Sequence, residues 1–383
     1  MKKIVCFGAG EKSKRIKALI EDAHEAEVVG FVEDSAFFKI GMSIDGVEVI
    51  SIYNMAKKYK RNEIDGVVIS SAYHKRTVQE MIMACEAQNI DENDIYLVNH
   101  NKIAGAKDET KVLTPRNEFV QIYDICVHLT DHCNMNCELC AHFSQFATEI
   151  SGEVYNSFDI VKKDLQRLHE LVPNVSYLSL AGGEPLLHPE LSKFIKLSRS
   201  VYQYANIRLI TNGILLRQLS QDTINVLREN NILIELSLYP PMHEQLDEFV
   251  NFFNKNGLKY SIVRMNRFFK RFSESPLFDP EEMSSYCGYC FGLENGQIYR
   301  CINAPYVKYL NRKFNLSFPE NNGIDIYKVN NPRQMIEDLE SPIALCSYCP
   351  SKFTLVDNYE WKQVSPKTSK TDVLWDISAI PKR

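Results

Sequence analysis

Asp131-His132-Cys133-Asn134-Met135-Asn136-Cys137-Glu138-Leu139-Cys140 sets three thiols at C-x3-C-x2-C spacing in one short loop. The loop follows an apolar run at residues 122–129 that reads as a buried strand. Thiolates are the usual ligands of iron–sulfur clusters. Three of them leave one iron of a four-iron cluster open to a substrate or cofactor. Zinc is the alternative on spacing alone, since it takes a closed tetrahedral set and His128, His132 or His142 would complete it.

Around this loop the pattern is α/β. Further strands are expected at residues 175–180, 207–210, 232–238 and 258–263, with helices between them at 158–171, 189–200, 218–229 and 245–254. Strands joined by helical crossovers of this length imply a partial (β/α)6 TIM-like barrel over residues 116–270. Upstream, residues 1–115 alternate short apolar runs with amphipathic stretches, as in a Rossmann-like domain. The polar segment 101–117, with Thr114-Pro115, reads as a linker. Downstream, residues 271–383 lose the rhythm and are rich in Cys, Tyr, Asn and Pro.

Composition narrows the function classes. The 383 residues are 45% apolar and 24% charged, and the net charge of −5 gives no basic footprint for nucleic acid. Met1-Lys2-Lys3 leads into an apolar run that stops at Gly8-Ala9-Gly10, so it reads as a first strand and not an export signal. No stretch approaches the ~18 apolar residues of a membrane span. A cytoplasmic location follows as the expectation, and there the eleven cysteines serve metal or redox chemistry before disulfides. Cys6, Cys85 and Cys126 sit singly in apolar patterns and read as small core residues.

The cysteine loop resembles the cluster motif of the radical S-adenosylmethionine superfamily. Leu180-Ala181-Gly182-Gly183-Glu184-Pro185 matches that family's Gly-Gly-Glu-Pro element, Thr211-Asn212-Gly213 a second pattern, and Ser237 a usual polar contact to the cofactor. All fall at the ends of successive strands. The resemblance implies a [4Fe-4S] cluster on Cys133, Cys137 and Cys140, with its open iron chelating S-adenosylmethionine. Cofactor contacts would come from Gly182, Gly183, Glu184, Thr211, Asn212 and Ser237, with Glu184 accepting from the methionyl ammonium. One-electron reduction would then release a 5′-deoxyadenosyl radical. Where the family commonly has an aromatic residue before the third cysteine, this chain has Leu139, and His142 or Phe143 is expected to fill the adenine side.

Cys287, Cys290, Cys301, Cys346 and Cys349 form a second group. Two C-x2-C pairs alone fit a zinc ribbon. With Gly296 and Cys301 as a G-x4-C element, the group resembles the Twitch form of a SPASM region, which implies an auxiliary [4Fe-4S] cluster. Five thiols stand for four places. Cys290 is marginally favoured over Cys287 as the ligand, and the spare thiol is a candidate hydrogen-atom donor.

In the first domain, Gly8, Gly10 and Ser13 open a helix and Asp34 ends a second strand, a weak nucleotide-binding pattern. Residues 28–34 and 44–49 resemble the nucleotide-sugar-binding domains of polysaccharide-biosynthesis enzymes. Together these imply a radical enzyme that takes a hydrogen atom from a carbohydrate or nucleotide-linked sugar. Dehydrogenation is favoured over epimerisation, with a flavodoxin- or ferredoxin-type electron donor. Maturation of a ribosomal peptide is the second reading, and a zinc-stabilised nucleotide-binding protein without enzymatic activity the third.

Overall fold

The computed structural model describes residues 1–33, 41–70, 75–107, 110–287, 291–352 and 359–375. The chain divides into two compact units, Met1–Tyr123 and Asp124–Arg383.

The first unit holds β1 (Lys2–Phe7), α1 (Glu11–Asp22), β2 (Ala26–Val32), β3 (Ser43–Ile44), β4 (Val47–Ile50), α2 (Ile52–Lys60), β5 (Gly66–Ile69), α3 (Lys75–Glu86), β6 (Ile95–Val98), α4 (His100–Ile103) and β7 (Leu113–Pro115). Its sheet runs β3-β4-β2-β1-β5-β6-β7, parallel except at the two edges. Alternation along β1 builds two cores. Val5 and Phe7 pack with Met55 and Ile82 on one face, while Ile4 and Cys6 pack with Ile16 and Ile20 on the other. Each such side chain contributes roughly 1.5–3 kcal/mol by burial.

Residues 101–117 are not the linker the polar composition implied. Leu113–Pro115 pairs antiparallel with β6, and Val112 and Leu113 are buried. The Glu25 carboxylate fixes the strand by accepting from the Val112 and Leu113 N–H groups at 2.6 and 2.9 Å. Pro115 lacks a donor, which an edge strand tolerates.

The second unit continues with β8 (Ile122–His128), α5 (Ser144–Ser151), α6 (Phe158–Leu171), β9 (Val175–Ala181), α7 (Leu191–Val201), β10 (Asn206–Thr211), α8 (Gln221–Glu229), β11 (Leu233–Leu238), α9 (Leu246–Asn256), β12 (Lys259–Arg264), α10 (Pro280–Ser285), β13 (Phe291–Glu294), β14 (Gln297–Tyr299), α11 (Val307–Phe314), β15 (Gly323–Asp325), α12 (Pro332–Glu340) and α13 (Lys370–Val373). The sheet order is β12-β11-β10-β9-β8-β13-β14-β15.

The sixth parallel strand is β13, which lies beside β8 in the region expected to be irregular. It turns back into β14 through Asn295-Gly296, both at positive φ (49° and 75°), the pairing a tight hairpin favours. The turn is tied to α6, where buried Asp164 accepts from the Gly296 N–H at 2.8 Å and the Tyr327 hydroxyl at 2.7 Å. The cysteine-rich stretch thus belongs to the same sheet as the barrel strands. No helix among the described residues is long and apolar enough to cross a membrane.

Candidate active site

At the carboxyl ends of β8 to β11 lies a cavity of about 230 Å³. Its lining includes Cys133, Cys137 and Cys140 together with Gly182, Gly183, Thr211, Asn212, Ser237 and Tyr239. Eight of the nine expected cofactor and cluster residues meet there; the exception is Glu184.

Glu184 is 1% exposed and is not among the cavity's lining residues. One carboxylate oxygen accepts from the Thr211 hydroxyl at 2.7 Å and the Leu186 N–H at 3.0 Å, and the other from the Asn212 N–H at 2.8 Å. It staples the end of β9 to the end of β10. Burial pushes its carboxyl up to about 7, although the Asn212, Thr211 and Leu186 donors pull the other way.

The two glycines make room for protein. A Cβ on Gly183 would stand 2.0 Å from the His132 carbonyl oxygen, and one on Gly182, at φ +145°, 2.4 Å from that of Thr130. The cysteine loop docks through this gap. The Gly183 N–H donates to Thr130 O at 2.6 Å and the Glu184 N–H to His132 O at 3.0 Å. The absence of a side chain at both positions is thus required for close backbone packing of the loop, and both glycines also line the cavity.

The thiols suit a cluster by the donors aimed at them. The Met135 N–H lies 3.4 Å and the Asn212 amide nitrogen 3.6 Å from Cys133 Sγ, and the Trp361 indole nitrogen 3.1 Å from Cys137 Sγ. Burial, then neighbouring Cys140, pushes the Cys137 thiol up to about 12. Ligation would therefore release protons, and the cluster irons would offset the thiolate charge. Among the described residues no three His, Cys, Asp or Glu side chains converge on one ion. Cluster thiolates each meet a different iron and need no such convergence.

Arg208 and Ser179 also line the cavity, and the Arg208 guanidinium reaches Asp124 at 2.6 Å and Ser179 at 2.7 Å. His142 lines the wall and is kept neutral by burial, which lowers its imidazole to about 3. Phe143, the other candidate for the adenine side, is instead core, buried against Phe272. Cys126 is buried as expected but also lines the cavity floor.

The second thiol group meets at a smaller cavity, lined by Cys287, Cys301, Cys346 and Cys349 with Phe272, Met283 and Leu345. Among the described residues Cys287 is the fourth thiol at this cavity; it follows α10, and its N–H donates to Ser284 O at 3.1 Å. Cys290 lies outside the described residues. Burial and then the neighbouring Cys287 and Cys349 push Cys301 up to about 12.

In the first unit, Gly8 and Gly10 lie between β1 and α1. Ser13 is wholly buried, with its hydroxyl 2.9 Å from that of Ser70, a bond that ties α1 to the end of β5. Asp34 lies outside the described residues.

Trp361 was not singled out in the sequence. Its signal was faint: one of two tryptophans, placed in a polar C-terminal stretch.

Residues 127–255 match the family model described as radical SAM superfamily, and residues 1–96 match one described as C2185-like, N-terminal. The chain is similar to the 7,8-dihydro-6-hydroxymethylpterin dimethyltransferase of Methanocaldococcus jannaschii, 34% identical over 96 residues, 24% of this chain and 18% of that protein. It is also similar to the GTP 3',8-cyclase of Clostridium acetobutylicum, 32% identical over 98 residues, 25% of this chain and 29% of that one. The chain thus spans less than a third of either relative. The solved structure of BtrN in complex with AdoMet and 2-DOIA is 15% identical with a TM-score of 0.37, covering 60% of this chain and 93% of that one.

Proposed function

We propose that this chain is an enzyme that removes a hydrogen atom from a carbohydrate or nucleotide-linked sugar, since residues 127–255 match the radical S-adenosylmethionine superfamily, which works with a [4Fe-4S] cluster and S-adenosylmethionine. The observation that carries the reading is one cavity lined both by three thiols and by residues from successive strand ends. The bound cofactors supply a carbon radical able to take hydrogen from an unactivated C–H bond.

The residues of the chain have narrower tasks. Cys133, Cys137 and Cys140 hold the cluster. Gly182 and Gly183 dock its loop, Glu184 and Asn212 fix the strand ends around it, and Ser237 offers a polar contact to the cofactor. Three buried polar atoms that line or face the cavity have no partner: His142 Nε2, Ser144 Oγ and Gln145 Oε1. All are neutral groups, which suits substrate hydroxyls better than an ionic group. Cys287, Cys301, Cys346 and Cys349 would hold an auxiliary cluster, which would supply an acceptor for the substrate radical's electron, the accompanying proton passing to solvent in a net dehydrogenation. The reductant is a flavodoxin- or ferredoxin-type protein.

We assign the first unit to binding the nucleotide part of the substrate. Removing residues 1–120 should leave uncoupled cleavage of S-adenosylmethionine intact and impair turnover, since remote binding energy orients the reacting carbon. The direct test is anaerobic reconstitution, cleavage of S-adenosylmethionine to 5′-deoxyadenosine, and product analysis over a panel of nucleotide sugars. Stoichiometric zinc with no cluster absorption would overturn the enzymatic reading. Turnover of peptides but of no sugar would overturn the substrate class.

A further inference from the structure

The outer side of the cysteine loop is covered by the C-terminal stretch of the chain. Gln363 pairs with Cys137 in an antiparallel bridge. The Glu138 N–H donates to Lys362 O at 2.9 Å, and the Val364 N–H to Asn136 O at 2.9 Å. The Gln363 side-chain amide adds a bond to Met135 O at 3.2 Å. Residues 362–364 therefore run as a short strand along the loop that carries the first cluster site. At the start of this strand the Trp361 indole N–H points at Cys137 Sγ, 3.1 Å away.

That contact is short for a sulfur acceptor. A thiol is a weak acceptor, whereas a thiolate is a strong one. The geometry is thus spent best when Cys137 has lost its proton to ligation. Reduction of the cluster adds one electron and no proton, so the reduced state carries more negative charge on its sulfurs. A fixed N–H dipole stabilises that state over the oxidised one, and hydrogen bonds to sulfur are among the factors that set cluster potentials.

We propose that Trp361 is a positioning residue that raises the reduction potential of the cluster on Cys133, Cys137 and Cys140, and that the strand at 362–364 holds it in place. The inference rests on the radical S-adenosylmethionine reading. It makes the C-terminal stretch part of the electron-accepting machinery, fed by a low-potential flavin or iron–sulfur donor.

The test is a redox titration of reconstituted full-length protein, followed by electron paramagnetic resonance. Trp361→Phe keeps an aromatic ring and removes the N–H. The reduced-to-oxidised ratio at a fixed donor potential should fall about tenfold, equivalent to a downward shift of about 59 mV for one electron, with iron content unchanged. Trp375→Phe, whose ring packs on Phe278 at 5.7 Å, should titrate as wild type. An unchanged potential in Trp361→Phe with full iron overturns the proposal.

If Trp361→Phe fails to hold its cluster, unmodified protein carrying ¹⁵N-indole tryptophan decides instead. A ¹⁵N hyperfine coupling to the reduced cluster, retained in Trp375→Phe, supports the contact, and its absence overturns it. Failure of the wild-type chain to assemble any cluster would instead defeat the family reading, so the two failures are distinguishable.

Discussion

The two cysteine groups of the second unit are built in opposite ways. Cys133, Cys137 and Cys140 lie in one short loop, clamped by backbone bonds from the β9 end on one side and from residues 362–364 on the other. Cys287, Cys301, Cys346 and Cys349 come from three separated segments and meet around a small, mainly apolar cavity. The first site is preformed by the barrel. The second gathers segments that have less regular structure to hold them, so a bound cluster contributes more to its fold. The proposed roles follow this division, with radical generation at the rigid site and the substrate half-reaction at the other.

The largest expected effect breaks the first site outright. Replacing Cys133, Cys137 and Cys140 together with Ala should reduce the iron from roughly eight to roughly four per chain and abolish cleavage of S-adenosylmethionine. Iron, sulfide and 5′-deoxyadenosine assays read this directly. Retained cleavage would show that the radical cluster is elsewhere.

Gly183→Ala reaches the same site without touching a ligand. The new methyl would collide with the His132 carbonyl, which is backbone and cannot swing aside. A loss of roughly 3 kcal/mol or more in denaturant unfolding, together with loss of the first cluster only, is expected. Normal stability would show that the loop docks differently.

Replacing both Cys301 and Cys349 with Ala tests the second site. The auxiliary cluster should be lost while 5′-deoxyadenosine still forms, and the oxidised product should disappear. Circular dichroism and the surviving first cluster establish that the variant is folded. Metal removal sharpens the same contrast by hydrogen exchange: amides of residues 131–140 should stay protected while those of 284–287 and 343–349 lose protection. Normal product from the double variant would make the second cluster structural.

How much of this was legible follows the same division. The first site could be read from sequence because its ligands are contiguous and its other elements fall at strand ends, where the fold must bring them together. What Glu184 and the glycines do was hidden, because motif spacing does not show which neighbour fills a gap. The sixth barrel strand was missed although Asn295-Gly296, flanked by alternating residues, is a hairpin signal; the surrounding cysteines drew the reading toward irregular structure. That Cys287 meets Cys301, Cys346 and Cys349 depends on segments far apart in the chain, an arrangement that sequence does not order. Trp361 joins Cys137 across more than two hundred positions by one indole bond, and no local pattern announces such a contact.

The smallest effect concerns the staple that only the first site has. In cofactor-free protein the Glu184 carboxyl is raised from 4.5 to about 7, chiefly by burial. Between those values the folded chain holds a proton that the unfolded chain releases. This contribution is therefore fully present below about pH 4.5 and is lost as pH rises through 7, on the order of 3 kcal/mol in all. Glu184→Gln cannot titrate, so it should remove this part of the pH slope. It should also cost about 1–3 kcal/mol at pH 5, because the amide nitrogen would face one of the donors from Asn212, Thr211 and Leu186 and leave it unpaired. The stability gap to wild type should accordingly be widest at pH 5 and narrow by pH 8, measured by urea unfolding of the cofactor-free chain at both values. A gap that stays constant would show that Glu184 is already ionised throughout, its three donors outweighing burial, and the staple would then be a fixed negative charge beside the thiols.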